Sequence, residues 1–137
     1  MSPRDALVQT HFKSAKKKPR TPTKTQQLRK ADALFSEFIR SRGRCEHCGS
    51  AEFLQCAHGF SRRYRSVRWE PAQCWALCRS CHVYFTHRPL EWDEWMRQKL
   101  GPALYERIRL RALNDPNPDV GDVIARLSTV VEGRVSW

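Results

Sequence analysis

The chain has 137 residues, the length of one domain with a tail, because a single core normally takes roughly 100–200 residues. Its 25 Lys and Arg against 14 Asp and Glu give a net charge of +11 and an isoelectric point near 9.9, so a polyanion is the expected partner. No apolar run reaches the roughly 18 residues of a spanning helix, and no hydrophobic stretch follows the first basic residues. These features predict an intracellular, cytoplasmic protein with no membrane partner, whose 6 cysteines stay reduced and bind metal in preference to forming disulfides.

Residues 1–24 read as a basic flexible arm: Arg4, Lys13, Lys16, Lys17, Lys18, Arg20 and Lys24 stand against Asp5 alone, and Pro3, Pro19 and Pro22 interrupt a stretch poor in large apolar groups. Phosphate contact and simple solubilisation are both open to it. An N-terminal helix is expected in 25–43, from Thr25 to Ser41, because Ala31, Leu34, Phe35, Phe38 and Ile39 recur near the helical period and Gly43 suits the position past its end. From Arg44 to Trp75 the period breaks, Gly49, Gly59 and Pro71 punctuate, and Glu52 to His58 has the length of a strand. A helix is expected after Cys78, another from Pro89 with Trp92, Trp95, Met96 and Leu100 on one side, and a third from Pro102 with Leu104, Ile108 and Ala112. The last runs from Pro118 to Glu132, aligning Val120, Val123, Ile124, Leu127 and Val131. Segment 44–101 thus forms the core and 102–137 a helical extension.

The strongest chemical signal is Cys45-Glu46-His47-Cys48, followed after 29 residues by Cys78-Arg79-Ser80-Cys81. Two such pairs suit one tetrahedral, structural Zn2+ site with bonds of about 2.3 Å, stapling a region too small to build its own core. His47 sits inside the first pair and is read as solvent-facing. Cys56 and Cys74 fall outside the paired spacing and are read as small buried residues.

Between the pairs lie Gln55-Cys56-Ala57-His58-Gly59-Phe60, a loop ending Arg68-Trp69, and Gln73-Cys74-Trp75-Ala76-Leu77, which runs into Cys78-Arg79-Ser80-Cys81-His82. Over about residues 44–100 this layout resembles the zinc-stapled HNH, or ββα-metal, endonucleases, and is similar to phage HNH proteins and NinG-like recombination proteins. The resemblance implies an α+β fold with a small ββα-metal core stapled by a four-cysteine zinc site and flanked by an N-terminal helix and C-terminal helices. It also implies a metal-dependent hydrolase of DNA phosphodiester bonds, encoded by phage in a bacterial host. On that resemblance His58 is the general base, Gln73 takes the middle position usually held by asparagine, and His82 ligates a catalytic divalent ion (Mg2+, Mn2+, Ni2+ or Zn2+), with His87 a weaker second ligand. Many family members carry Asp or His immediately before the base, and this chain has Ala57 there; Glu70, His87 and Cys56 are candidate substitutes.

Arg62, Arg63, Arg65 and Arg68, with Tyr64 and Trp69 interleaved and no acid among them, suit phosphate oxygens beside His58 and are the expected DNA-binding residues. Trp69, Trp75, Trp92 and Trp95 are read as core. Two other functions fit the same residues: a non-catalytic zinc module that binds DNA or RNA, favoured by Ala57 and Gln73, and an adaptor whose C-terminal helices dock a protein partner.

Overall fold

The first regular element, α1 (Lys24–Arg40), starts where Thr23 and Gln26 cap one another: the Thr23 hydroxyl accepts from the Gln26 amide at 3.2 Å, and the Gln26 side chain accepts from the Thr23 amide at 2.9 Å. Ala31, Phe35 and Ile39 follow at four-residue spacing, and all three are buried. The computed structural model describes residues 16–133, so most of the expected basic arm and Trp137 lie outside the described residues. Residues 16–22 are exposed and carry no helix or strand.

Strand β1 (Leu54–His58) pairs antiparallel with β2 (Cys74–Cys78), Leu54 opposite Cys78 and His58 opposite Cys74. The connection contains two 3₁₀ turns, Arg65–Val67 and Pro71–Gln73. All five residues of β2 are buried, because the hairpin is covered on both faces. Trp75 and Leu77 enter one core with Ala57, Phe85, Met96 and Tyr105; Cys74 and Ala76 enter another with Phe35, Ile39, Trp69 and Leu127. The outer edge of β2 is closed by the first cysteine pair. The Glu46 amide donates to Ala76 O at 2.8 Å, and the Ala76 amide donates to the Glu46 carboxylate at 2.7 Å, so unpaired strand groups are satisfied. Arg42 fixes this clip, donating to Glu46 at 3.0 Å, Cys74 O at 2.7 Å and Pro71 O at 3.0 Å.

Four more helices complete the fold: α2 (Arg79–Thr86), α3 (Pro89–Leu100), α4 (Pro102–Asn114) and α5 (Val120–Val131). Proline opens α3 and α4, where a missing N–H costs nothing, and Asp119 caps α5 by accepting from the Asp122 amide at 3.0 Å. The chain is therefore α+β, five helices around a two-stranded antiparallel sheet. α5 turns its apolar stripe onto α1, so that face is used within the fold; Leu110 and Leu113 on α4 remain exposed. Among the described residues no helix is long and apolar enough to cross a membrane.

Candidate functional site

Each cysteine pair wraps its chain around a sulfur. The Cys48 amide donates to Cys45 Sγ and the Cys81 amide to Cys78 Sγ, both at 3.5 Å. Gly49 closes the first turn, donating to Cys45 O at 2.9 Å with a φ of +81°, a left-handed conformation that costs an L side chain about 1–2 kcal/mol. The four sulfurs lie within 4.8 Å of one another, with Cys48 and Cys78 3.6 Å apart. A tetrahedron with bonds of about 2.3 Å has edges of roughly 3.8 Å, so Cys45, Cys48, Cys78 and Cys81 can hold a structural metal such as zinc. All six cysteines are free thiols.

The four thiols sit in unequal surroundings. Burial works to raise the Cys45 thiol, but the backbone amides of Cys48, Cys78 and His47 outweigh it and bring its pKa down to about 6. Cys81 is pushed up, first by burial and then by the neighbouring sulfurs. His47 is exposed and outside the cluster, yet its Nδ1 lies 3.2 Å from Cys81 Sγ and its ring meets Phe85 edge-on at 4.9 Å. It buttresses a sulfur, a role its place inside the pair did not reveal.

His58 ends β1 against Phe35 of α1, ring centroids 5.8 Å apart. Its Nε2 lies 3.0 Å from Arg68 O. A carbonyl only accepts, so Nε2 carries the proton and Nδ1 keeps its lone pair. Burial lowers the pKa of this imidazole, the Arg68 carbonyl opposes it, the Arg62 charge adds to the lowering, and the result is about 4. His58 is therefore neutral at pH 7. His82, on α2, has Nδ1 2.7 Å from the Gln55 side-chain oxygen, which leaves its Nε2 lone pair free, and burial lowers its pKa too. Both histidines line the same open cleft of about 670 Å³, together with Gln55, Arg40 and Arg62, and both line a smaller adjoining hollow of about 120 Å³.

The loop between the strands is built around buried Gln73. Its oxygen accepts from the Phe60 amide at 2.7 Å, and its Nε2 donates to Val67 O at 2.7 Å, so the amide holds the two arms of the loop together. Gly59 follows His58 because nothing larger fits: a Cβ there would collide with Met96 Sδ and stand 2.9 Å from Gln73 O. Arg68, grouped with the DNA-binding residues on sequence, is committed inward. Its guanidinium grips the Asp32 carboxylate of α1 with two hydrogen bonds, one of them Nε to Oδ1 at 2.9 Å, and its side chain is only 16% exposed. Trp69, buried as expected, donates to the same carboxylate at 3.0 Å. Arg62, Arg63 and Arg65 remain exposed, as does Tyr64. In the sequence only its place beside Ala31, on the inward side of α1, marks Asp32.

The substitutes for a ligand at position 57 scatter. Ala57 faces the aromatic core. Glu70 accepts from the Ala72 amide at 3.2 Å and from Arg111 at 2.8 Å, and His87 is an exposed residue at the end of α2, lining neither hollow. Cys56 groups with His58 and Cys74, and His82 is not in that group. Compared with known proteins, the chain matches no protein-family model, no curated protein and no solved structure.

Proposed function

We propose that the chain is a metal-dependent HNH-type endonuclease that hydrolyses DNA phosphodiester bonds, with β1, β2 and α2 as a small ββα-metal core, serving phage-type DNA processing, recombination or packaging. The observation that carries this reading is the pairing of His58 and His82, each with one imidazole nitrogen free, in one cleft edged by Arg62. Hydrolysis needs a base for the attacking water, and neutral His58 offers Nδ1 while Arg68 O holds the ring. The Asp32 charge favours the imidazolium that results, while burial and the Arg62 charge oppose it. Nε2 of His82 would hold the divalent ion, which supplies charge stabilisation at the phosphate. Arg62, Arg63 and Arg65, with the lysines at 16–18, would position the duplex through its phosphates.

A second reading, a non-catalytic zinc module that binds DNA or RNA, is favoured by one observation: among the described residues His82 belongs to no group of three metal-binding side chains. Incubating supercoiled plasmid with the protein and added Mg2+, Mn2+ or Ni2+ separates the two. Cleavage by wild type should fall about 10²- to 10⁴-fold in His58→Ala while zinc content and DNA affinity persist. A wild type inert with every ion, or a His58→Ala protein as fast as wild type, leaves the binding module standing.

A further inference from the structure

The α1 side of the hairpin carries a second group of metal-binding side chains. Cys56 and His58 are two residues apart on β1 and so share a face, and Cys74 stands opposite His58 in the register. The two sulfurs and a ring nitrogen of His58 lie within 4.8 Å of one another. None of the three belongs to the four-sulfur cluster. His58 also has the outer partner a ligating imidazole almost always has, since its Nε2 proton goes to a backbone carbonyl and Nδ1 is left to bind. Cys56 and His58 line the open cleft, which gives an ion a way in, and Cys74 is fully buried beneath them.

We propose that Cys56, His58 and Cys74 form a second site for a thiophilic cation of the Zn2+ class, and that filling it occupies the lone pair His58 needs as a base. Two thiolates and an imidazole select a borderline-soft ion over Mg2+, and three protein ligands leave a fourth tetrahedral position for water. Each thiol releases its proton to solvent as the ion binds. The binding half stands on geometry alone; the inhibitory half rests on the endonuclease reading.

The test starts from protein holding its knuckle zinc, dialysed against Zn2+ alone with thiols kept reduced, and read by elemental analysis. Wild type should take up a second zinc per chain, and Cys56→Ser and Cys74→Ala should stay at one. Cys56 is half-buried, so Cys56→Ser keeps the test valid if the fully buried Cys74 position does not tolerate change. Saturation of wild type at one zinc overturns the site, as does a second zinc retained in Cys56→Ser. In plasmid cleavage supported by Mg2+, Zn2+ at about ten times the Kd of the site should slow wild type about tenfold and spare Cys56→Ser. Equal inhibition of both overturns the inhibitory half. A wild type that never cleaves counts against the endonuclease reading and against inhibition, while the dialysis still decides whether the site exists.

Discussion

The two faces of the hairpin are held by different chemistry. On the face of Trp75 and Leu77, the chain from 44 to 81 supplies four sulfurs, with Phe85, Trp92 and Trp95 packed beside them; Trp92 and Trp95 stack at 5.4 Å, and Trp75 meets both edge-on. On the other face, among the described residues, there is no four-sulfur cluster, only the Cys56–His58–Cys74 group. Phe35 and Ile39 of α1 share an apolar core with Cys74 and Ala76, and Leu127 of α5 joins it from the far end of the described chain. The difference follows from sequence distance. A segment of short strands and turns buries little apolar area locally, and its four cysteines can hold a metal that staples it, whereas an amphipathic helix brings its own stripe. The first face should therefore fail when metal is removed and the second when a side chain is truncated.

The largest effect is expected at the sulfurs. Cys45→Ser or Cys78→Ser should abolish the zinc, about one per chain, expected in elemental analysis of wild type, and lose native near-UV circular dichroism from the tryptophan cluster, since structural zinc contributes about 10–16 kcal/mol of binding free energy in small domains. A folded, zinc-free wild type would remove the contrast between the faces. Phe35→Ala, on the helical face, should cost about 3–5 kcal/mol in denaturant unfolding and leave zinc content unchanged in the folded protein. A loss of zinc there would show that the two faces act as one unit.

The next effect depends on pH. The pKa of His58 falls from 6.5 unfolded to about 4 folded, so below pH 6.5 the unfolded chain takes up a proton that the native one refuses. Stability from this group is whole above pH 6.5 and is lost progressively as the pH drops through 6.5 towards 4, roughly 3 kcal/mol in all. Wild type should thus lose more stability than His58→Gln between pH 7 and 4, measured with no zinc beyond that of the knuckles; parallel profiles would contradict the buried, neutral imidazole. The smallest effect is expected for Asp32→Asn, which leaves the Arg68 guanidinium half-buried without its charge partner. It should cost about 1–3 kcal/mol and speed amide exchange in the 60–73 loop, with zinc retained.

Helices were legible because their apolar spacing is local. The expected Thr25–Ser41 and Pro118–Glu132 are found as Lys24–Arg40 and Val120–Val131, and the prolines at 89 and 102 mark the starts of α3 and α4. The strand expected over Glu52–His58 is found as Leu54–His58. The resemblance implies a ββα core and so a second strand, but periodicity places none over β2: Cys74-Trp75-Ala76-Leu77-Cys78 is buried on both faces and shows no alternation to betray a strand. The cysteine cluster was legible from spacing, and the burial of Trp69 and Trp75 from their apolar surroundings. What stayed hidden is long-range pairing. Nothing near Arg68 distinguishes it from Arg62, Arg63 or Arg65, because the acid that claims it lies 36 residues earlier. Gln73 likewise shows its part only when Phe60 and Val67 come within reach of its amide.

Arg68 touches the site at both of its ends. Its carbonyl decides which nitrogen of His58 bears hydrogen, while its guanidinium is moored to α1 through Asp32. The alignment of the imidazole is consequently referenced to a helix that contributes no ligand and no base. A sideways shift of α1 would reach the imidazole through this one residue, so in the proposed endonuclease the aim of the His58 lone pair depends on how α1 seats against α5.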